Sequence, residues 1–276
     1  MQSVENILEI LKRQRSMDFS GYRIPMLERR LQKRVHNTKT KNLKGYLEYI
    51  NENQDELDHL IDVFTINVSR FFRNSLTFEY ISKHILPDLL TKTEFSNKNN
   101  NIRIWSAGCS TGEEPYSIAI LLNEFEKKEH KNFNANIFAT DIDKKALSKA
   151  HAGMYTLESV KKIKYGILTK YFTENKGSYI IDDQITSMVQ FSKYDLTDKK
   201  ISVPAASIFG GFDIVLCRNV LIYFNPEFQK IIFDKLYKSL NNNGYLILGE
   251  AETPSEGYKH KFRRENKFCK IYRKIG

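Results

Sequence analysis

Residues 102–116 read Ile-Arg-Ile-Trp-Ser-Ala-Gly-Cys-Ser-Thr-Gly-Glu-Glu-Pro-Tyr: an apolar strand, a turn of small residues, then an acidic pair that opens a helix. Strand–turn–helix units of this kind build doubly wound α/β sheets, and the crevice beyond the strand's C-terminal end is where such sheets take nucleosides. Gly108, Ser110 and Gly112 let the backbone approach a ligand where a larger side chain would fill the space. The predicted fold class is therefore α/β, a doubly wound Rossmann-like sheet.

The acid that follows the turn limits the ligand. A pyrophosphate seeks backbone N–H groups at a helix N-terminus, and Glu113 and Glu114 are badly placed for it. The chain has no G-x-G-x-x-G and no G-x-x-x-x-G-K-[ST], which argues against a P-loop NTPase and disfavours NAD. A ligand with an amino group or a positive sulfur suits this edge, and S-adenosylmethionine has both. The second strand, Asn136–Thr140, ends at Asp141, where a carboxylate can accept from both ribose hydroxyls. Gly112 and Asp141 lie 29 residues apart, a span filled by a helix from Glu113 to about Lys128 and a polar loop. Asp143 can cap the following helix, which leaves Asp141 for the ribose.

A chain of 276 residues with 41% apolar content makes one large or two smaller domains with a real core. No run of 18 apolar residues and no signal-peptide pattern occurs, so a cytoplasmic location is expected. Cys109, Cys217 and Cys269 fit neither a disulfide frame nor a zinc site and read as small space-fillers; no metal is expected. The formal charge of +10 is uneven. Residues 12–44 hold eleven Lys/Arg against Asp18 and Glu28, and residues 259–274 hold eight against one acid. In the first block Leu27 and Leu31 can face inward while Arg29, Arg30, Lys33 and Arg34 cover the remaining surface. That face is either simply solvated or a dock for an acidic partner, nucleic acid or an acidic protein helix.

Residues 1–66 show helical spacing only, with breaks at Gly21–Pro25, 37–42 and Asn51–Asn53. A helix is expected from about Ser75 to Leu90, across Pro87, then an exposed Asn-rich loop over Thr91–Asn101. From 102 onward strands alternate with helices, the pattern of a parallel sheet. The expected domains are 1–74, helical and basic, and 75–276, the sheet domain with an insert at about 174–193. Within the insert, Ser178–Asp182 and Ser187–Phe191 read as a hairpin. Phe212–Cys217 is a core strand, Pro226–Leu240 a helix, Asn241–Gly244 a turn into the strand Tyr245–Leu248, and Lys267–Tyr272 a closing antiparallel strand.

Three segments together resemble the chemotaxis receptor methyltransferase (CheR) family. Thr65-Ile-Asn-Val-Ser-Arg-Phe-Phe-Arg73 resembles the family's T-x-N-x-T-x-F-F-R; the others are Trp105-Ser-Ala-Gly-Cys-Ser-Thr-Gly-Glu-Glu-Pro-Tyr-Ser117 and Cys217-Arg-Asn-Val-Leu-Ile-Tyr-Phe224. The resemblance runs from about residue 20 to 272. It implies methyl transfer from S-adenosylmethionine to glutamates on the cytoplasmic helices of chemoreceptors, with recruitment to membrane receptor arrays. It places Asn67, Ser69, Arg73 and Glu114 beside the cofactor, Asp141 on the ribose, Asp195 and Leu196 along the adenine, followed by Arg218 and Asn219, and Tyr223 facing the methyl. Ser69 stands where the family commonly has Thr, and Asp195 where Asn is common; Gly108 and Cys109 replace alanines seen in some members. The insert matches a β-subdomain with which some members hold a receptor tail peptide, and here it is short.

The residues suit that chemistry. A glutamate with a pKa near 4.3 is ionised at neutral pH, so no general base is required, and all six histidines lie outside the three segments. Arg73 can orient an incoming carboxylate by a two-pronged hydrogen bond and Tyr223 can pack against the methyl. Two rivals remain at this level: an RNA methyltransferase using the same cofactor, and a non-catalytic module that senses the cofactor and docks receptors.

Overall fold

The computed structural model describes residues 2–90, 101–201, 203–205 and 211–275. The expected loop at Thr91–Asn101 therefore falls, but for Asn101, outside the described residues. The chain divides into two compact units, residues 1–67 with 223–229, and residues 68–222 with 230–276. Among the described residues no helix is long and apolar enough to cross a membrane.

The first unit holds α1 (Gln2–Arg15), α2 (Ile24–Asn37), α3 (Leu43–Glu52) and α4 (Glu56–Phe64). Pro25 sits in the first turn of α2, where a missing N–H costs nothing. Asn42 caps α3 by accepting from Gly45 N. The apolar stripes meet as their spacing requires, and Ile7, Leu11, Leu27, Leu31, Ile50, Leu57 and Leu60 are all fully buried. The segment 223–229 lies against the α1–α2 connection. Arg23 N donates to Tyr223 O at 2.9 Å and Asn225 N to Gly21 O at 2.9 Å. Gly21 has to be glycine here, since a Cβ would come within 2.5 Å of the Phe228 ring.

The second unit opens with a continuous helix over 75–90, composed of α5 (Ser75–Tyr80), a π-helical turn (Ile81–Ile85) and α6 (Leu86–Leu90). The helix does cross Pro87, and the wider turn before it accommodates the missing N–H of proline. Strands β1 (Asn101–Ala107), β2 (Asn134–Asp141), β6 (Val189–Lys193), β7 (Phe212–Cys217), β8 (Leu240–Leu248), β9 (Phe262–Arg264) and β10 (Ile271–Lys274) form one sheet in the order β6-β2-β1-β7-β8-β10-β9. The pairs joining β6 through β8 are parallel, while β8–β10 and β10–β9 are antiparallel. Strand order reverses at β1, so the crevice of a doubly wound sheet opens at the C-terminal ends of β1 and its neighbours. Helix α7 (Glu113–Glu129) joins β1 to β2, and α8 (Lys144–Ala152) follows β2. Trp105 is fully buried, and its indole N–H is satisfied by Thr140 Oγ1 at 2.9 Å.

The hairpin expected at 178–191 is not formed. Between β2 and β6 the chain builds β3 (Met154–Thr156), α9 (Leu157–Val160), α10 (Tyr165–Tyr171), β4 (Phe172–Asn175), β5 (Ser178–Ile181) and α11 (Asp183–Thr186). Strand β5 pairs antiparallel with β3 and β4 in a separate three-stranded sheet, whereas β6 lies parallel to β2 in the large one. Asp182 is the reason. It accepts from Gln184 N at 2.7 Å and starts a helical turn in place of a tight reversal. The real hairpin is the two-residue turn Lys176–Gly177, both at positive φ (50° and 81°), as such turns require.

The expected turn at Asn241–Gly244 lies inside β8. Phe212 pairs with Leu240 but Ile214 pairs with Tyr245, so the Asn-rich residues bulge opposite Asp213. Asn241 Nδ2 donates to Asp213 Oδ1 at 2.9 Å and Asn243 takes the left-handed φ of 63°, roles that asparagine fills readily. The closing strand begins at Ile271, not Lys267, because Asn266 Oδ1 accepts from Phe268 N and Cys269 N and holds that stretch as a turn.

Candidate cofactor site

At the end of β1 the backbone folds over the end of β2. Gly108 N and Cys109 N both donate to Thr140 O, at 2.8 and 2.9 Å. Gly108 has φ 78°, and a Cβ there would lie 2.5 Å from Val220 Cγ2; Gly112 has φ 93°, and a Cβ there would lie 2.9 Å from Ala150 Cβ. Both glycines are thus fixed by conformation and by a close neighbour. Burial, with Asp141 and Glu114 nearby, pushes the Cys109 thiol well up, so this cysteine is packing material and no nucleophile.

The acidic pair separates into two roles. Glu113 turns inward and accepts from Thr111 Oγ1 at 2.7 Å and from the Ser69 hydroxyl; burial pushes its carboxyl above the usual range. Glu114 turns toward the ends of β1 and β7. Its Oε1 accepts from Ser106 Oγ at 2.8 Å and its Oε2 from Arg218 Nη1 at 3.1 Å. Arg218 also donates through Nη2 to Arg73 O at 2.7 Å and lies 5.3 Å over the Phe78 ring. Its Nε is buried without a hydrogen-bond partner. Arg73, Glu114 and Arg218 therefore belong to one network, Arg73 through its carbonyl, while Ser69 bonds the neighbouring Glu113. The Arg73 guanidinium itself donates to Val68 O at 3.0 Å.

Asp141 does not stand unengaged, as expected from sequence; it braces the turn. Its Oδ2 accepts from Ser110 N at 2.8 Å and its Oδ1 from Asp143 N at 3.0 Å. A carboxylate offers about four lone-pair directions, so capacity for hydroxyl donors remains. Burial raises its pKa. Asp143 is the helix cap expected from the sequence, accepting from Lys145 N and Ala146 N. Asp195 Oδ1 accepts from Thr197 N and Thr197 Oγ1, at 2.7 and 2.6 Å, a contact that an asparagine oxygen would make equally well. Leu196 is buried beside it. Asn219 adopts φ 59° at the turn after β7.

The remaining sequence-derived residues lie in the helical unit. Asn67 is exposed, and Tyr223 is half-buried with the Arg30 guanidinium 5.9 Å from its ring centroid. The four basic residues of α2 divide. Arg29 and Lys33 are exposed. Arg30 donates to Val63 O and Phe64 O at the C-terminal end of α4, at 2.6 and 3.2 Å. Arg34 forks onto buried Glu56 at 2.8 and 2.7 Å, and Tyr46 OH completes that carboxylate at 2.6 Å.

Sequence reasoning missed Glu252. It is buried and accepts from Asn219 N, Val220 N and Leu221 N within 2.9 Å. The only local signal was its neighbour Gly249, where a Cβ would come within 2.7 Å of Asn219 N and of Glu252 Oε2.

A cradle that no Cβ could enter, flanked by Glu114 in the first turn of α7 and Asp141 at the end of β2, fits a ligand with a cationic end and a ribose. The doubly wound, mostly parallel sheet and this pair of acceptor carboxylates are the arrangement of an S-adenosylmethionine-dependent methyltransferase. The model of the CheR methyltransferase SAM-binding domain matches residues 67–270, and that of the CheR all-alpha domain matches residues 2–65. The chain belongs to the CheR methyltransferase family. It is 35% identical over 221 residues to a chemotaxis protein methyltransferase of Borreliella burgdorferi, covering 78% of this chain and 76% of that one. To chemotaxis protein methyltransferase 2 of Vibrio cholerae it is 33% identical, with 83% and 77% covered, and to chemotaxis protein methyltransferase 1 of Pseudomonas aeruginosa 34%, with 82% and 81% covered.

Proposed function

We propose that this enzyme methylates glutamate side chains on the cytoplasmic helices of chemoreceptors, forming glutamyl methyl esters. The carrying observation is the pair of carboxylates, Glu114 and Asp141, set around the Gly108 turn in a chain of the CheR family. Bound S-adenosylmethionine supplies an electrophilic methyl group on a cationic sulfur. Asp141 accepts from the ribose hydroxyls, and Glu114, oriented by Ser106 and Arg218, accepts from the ligand's ammonium group. Asp195, Leu196 and Asn219 line the adenine side. Arg73 orients the acceptor carboxylate, which is already ionised at neutral pH and requires no base from the protein. The exposed cations Arg29 and Lys33 on α2 face the acidic receptor helix, where complementary charge speeds encounter and sets register.

The test is incubation with methyl-labelled cofactor and receptor-containing membranes, followed by mild base. Label in the receptor band, released as methanol, is the expected result. Label that enters RNA, or no transfer while the cofactor binds, overturns the reading.

A further inference from the structure

We propose that Glu252 is a positioning residue for the cofactor site, a buried carboxylate that sets the depth of the cradle without touching the ligand. The proposal rests on the assignment of the Gly108–Asp141 edge to the cofactor.

The chain leaves β7 at Cys217 and turns at once through the left-handed Asn219. That turn points successive amides inward, away from any strand partner. A buried N–H without an acceptor costs about 1–3 kcal/mol. Glu252 answers all of them. Oε2 accepts from Asn219 N at 2.9 Å and from Gly249 N at 2.6 Å; Oε1 accepts from Val220 N at 2.9 Å and Leu221 N at 2.8 Å, with Ile222 N at 3.4 Å. Only a carboxylate combines acceptor capacity at both oxygens with no donor to clash.

The consequence reaches the cradle through Val220. With its amide fixed, its Cγ2 lies 2.5 Å from the point a Cβ on Gly108 would occupy. Glu252 thus ties the loop after β8 to the loop after β7, and Val220 presses that loop onto the turn after β1. Arg218, which orients Glu114, immediately precedes the held turn. Gly249 is part of the same device, because a side chain there would push both Asn219 N and Glu252 away.

In Glu252→Gln the terminal NH2 must face one set of amides, so the turn loosens on one side. S-adenosylhomocysteine affinity by calorimetry is expected to fall at least tenfold and the KM for S-adenosylmethionine to rise in parallel, with the KM for receptor unchanged. Glu252→Asp, which keeps both acceptors on a shorter arm, is expected to fall between Gln and wild type. Tyr171→Phe removes a buried hydroxyl bonded to Asn123 and Glu124 far along the chain, and serves as a control for general destabilisation with unchanged cofactor affinity. Should Glu252→Gln not fold, Gly249→Ala carries the same expectation with the carboxylate retained. Affinity within twofold of wild type in a folded Glu252→Gln, or in Gly249→Ala where that one fails to fold, overturns the proposal. Asp141→Asn, measured alongside, separates the two readings. If it too binds normally, the site assignment has failed; if it alone loses the ligand, only the role of Glu252 has.

Discussion

Arg218 holds Glu114 from one side, Nη1 to Oε2 at 3.1 Å, while Ser106 holds it from the other, Oγ to Oε1 at 2.8 Å. The Arg218 side chain is 2% exposed and that of Glu114 12%, so the pair is nearly dry and its geometry matters more than its charge. The same guanidinium reaches Arg73 O, which makes the motif segment around Phe71–Arg73 and the Glu114 carboxylate parts of one bonded unit.

Arg218→Lys keeps the charge and loses the fork, since a single ammonium cannot span Glu114 and the Arg73 carbonyl together. Cofactor affinity is expected to drop about tenfold, equal to about 1.4 kcal/mol. Ser106→Ala removes one hydroxyl bond and is expected to cost less, about 1 kcal/mol. Titration of both variants with S-adenosylhomocysteine checks the order. Equal or reversed losses would mean that Arg218 is not the principal orienting group.

Arg34 belongs to the fold of the helical unit and not to its exposed basic face. Burial works against ionisation of Glu56, but the Arg34 and Tyr46 hydrogen bonds overcome it and hold the carboxyl below its usual value. A depressed folded pKa gives stability that is present above the unfolded value, about 4.5, and is lost as pH falls through the lower folded one. Glu56→Gln should therefore be less stable than wild type at pH 7 by about 3 kcal/mol. The gap should narrow as pH falls below the unfolded value and through the lower folded one. Urea midpoints at a series of pH values measure it, and a gap that stays constant with pH would show that ionisation is not what the pair contributes.

Arg29 and Lys33 remain as the exposed cations of α2. Arg29→Glu with Lys33→Glu reverses that face without touching the Arg30 or Arg34 contacts. The KM for receptor is expected to rise about tenfold at low salt, with the difference shrinking as ionic strength shortens the screening length. Cofactor affinity should not change. An unaltered receptor KM at low salt would remove α2 from the docking surface.

The legible part of this molecule was what periodicity and turn chemistry encode locally. The four helices of residues 1–66, the strands at 101–107 and 212–217, and the Asp143 cap follow from apolar spacing and short polar side chains. Pairing was less legible: Ser178–Ile181 and Val189–Lys193 are both strand-like, and nothing in their composition says that they enter different sheets. The decision lay with Asp182, whose side chain starts a helical turn. At the candidate site, residue types singled out Glu114 and Asp141, but the distant partner of Glu114, Arg218, lies 104 residues on. Glu252 is 138 residues beyond Glu114 and carries no periodic signal; apart from the nearby Gly249, its acceptor geometry is what reveals it. Arg30 and Arg34 looked equivalent to Arg29 and Lys33 on a helical face, and tertiary acceptors on α4 set them apart.

The contact between Gly108 and Val220 offers a cycle in which strain and crowding separate. An alanine at position 108 meets two obstacles, the left-handed φ of 78° and a Cγ2 at 2.5 Å from its Cβ. The first costs about 1–2 kcal/mol wherever it occurs. The second depends on Val220, whose branched side chain has little rotamer freedom and whose backbone Glu252 holds in place. Val220→Ala alone leaves a small void and is expected to be mild. Combined with Gly108→Ala it removes the crowding and leaves the strain, so the double variant should be more stable than Gly108→Ala by about 1–3 kcal/mol, the usual range for relieved overpacking. Cofactor affinity should recover in the double variant along with stability, because the same contact shapes the cradle. Strict additivity of the two substitutions in unfolding and in binding would show that Val220 yields freely, and that the loop after β7 does not press on the turn after β1.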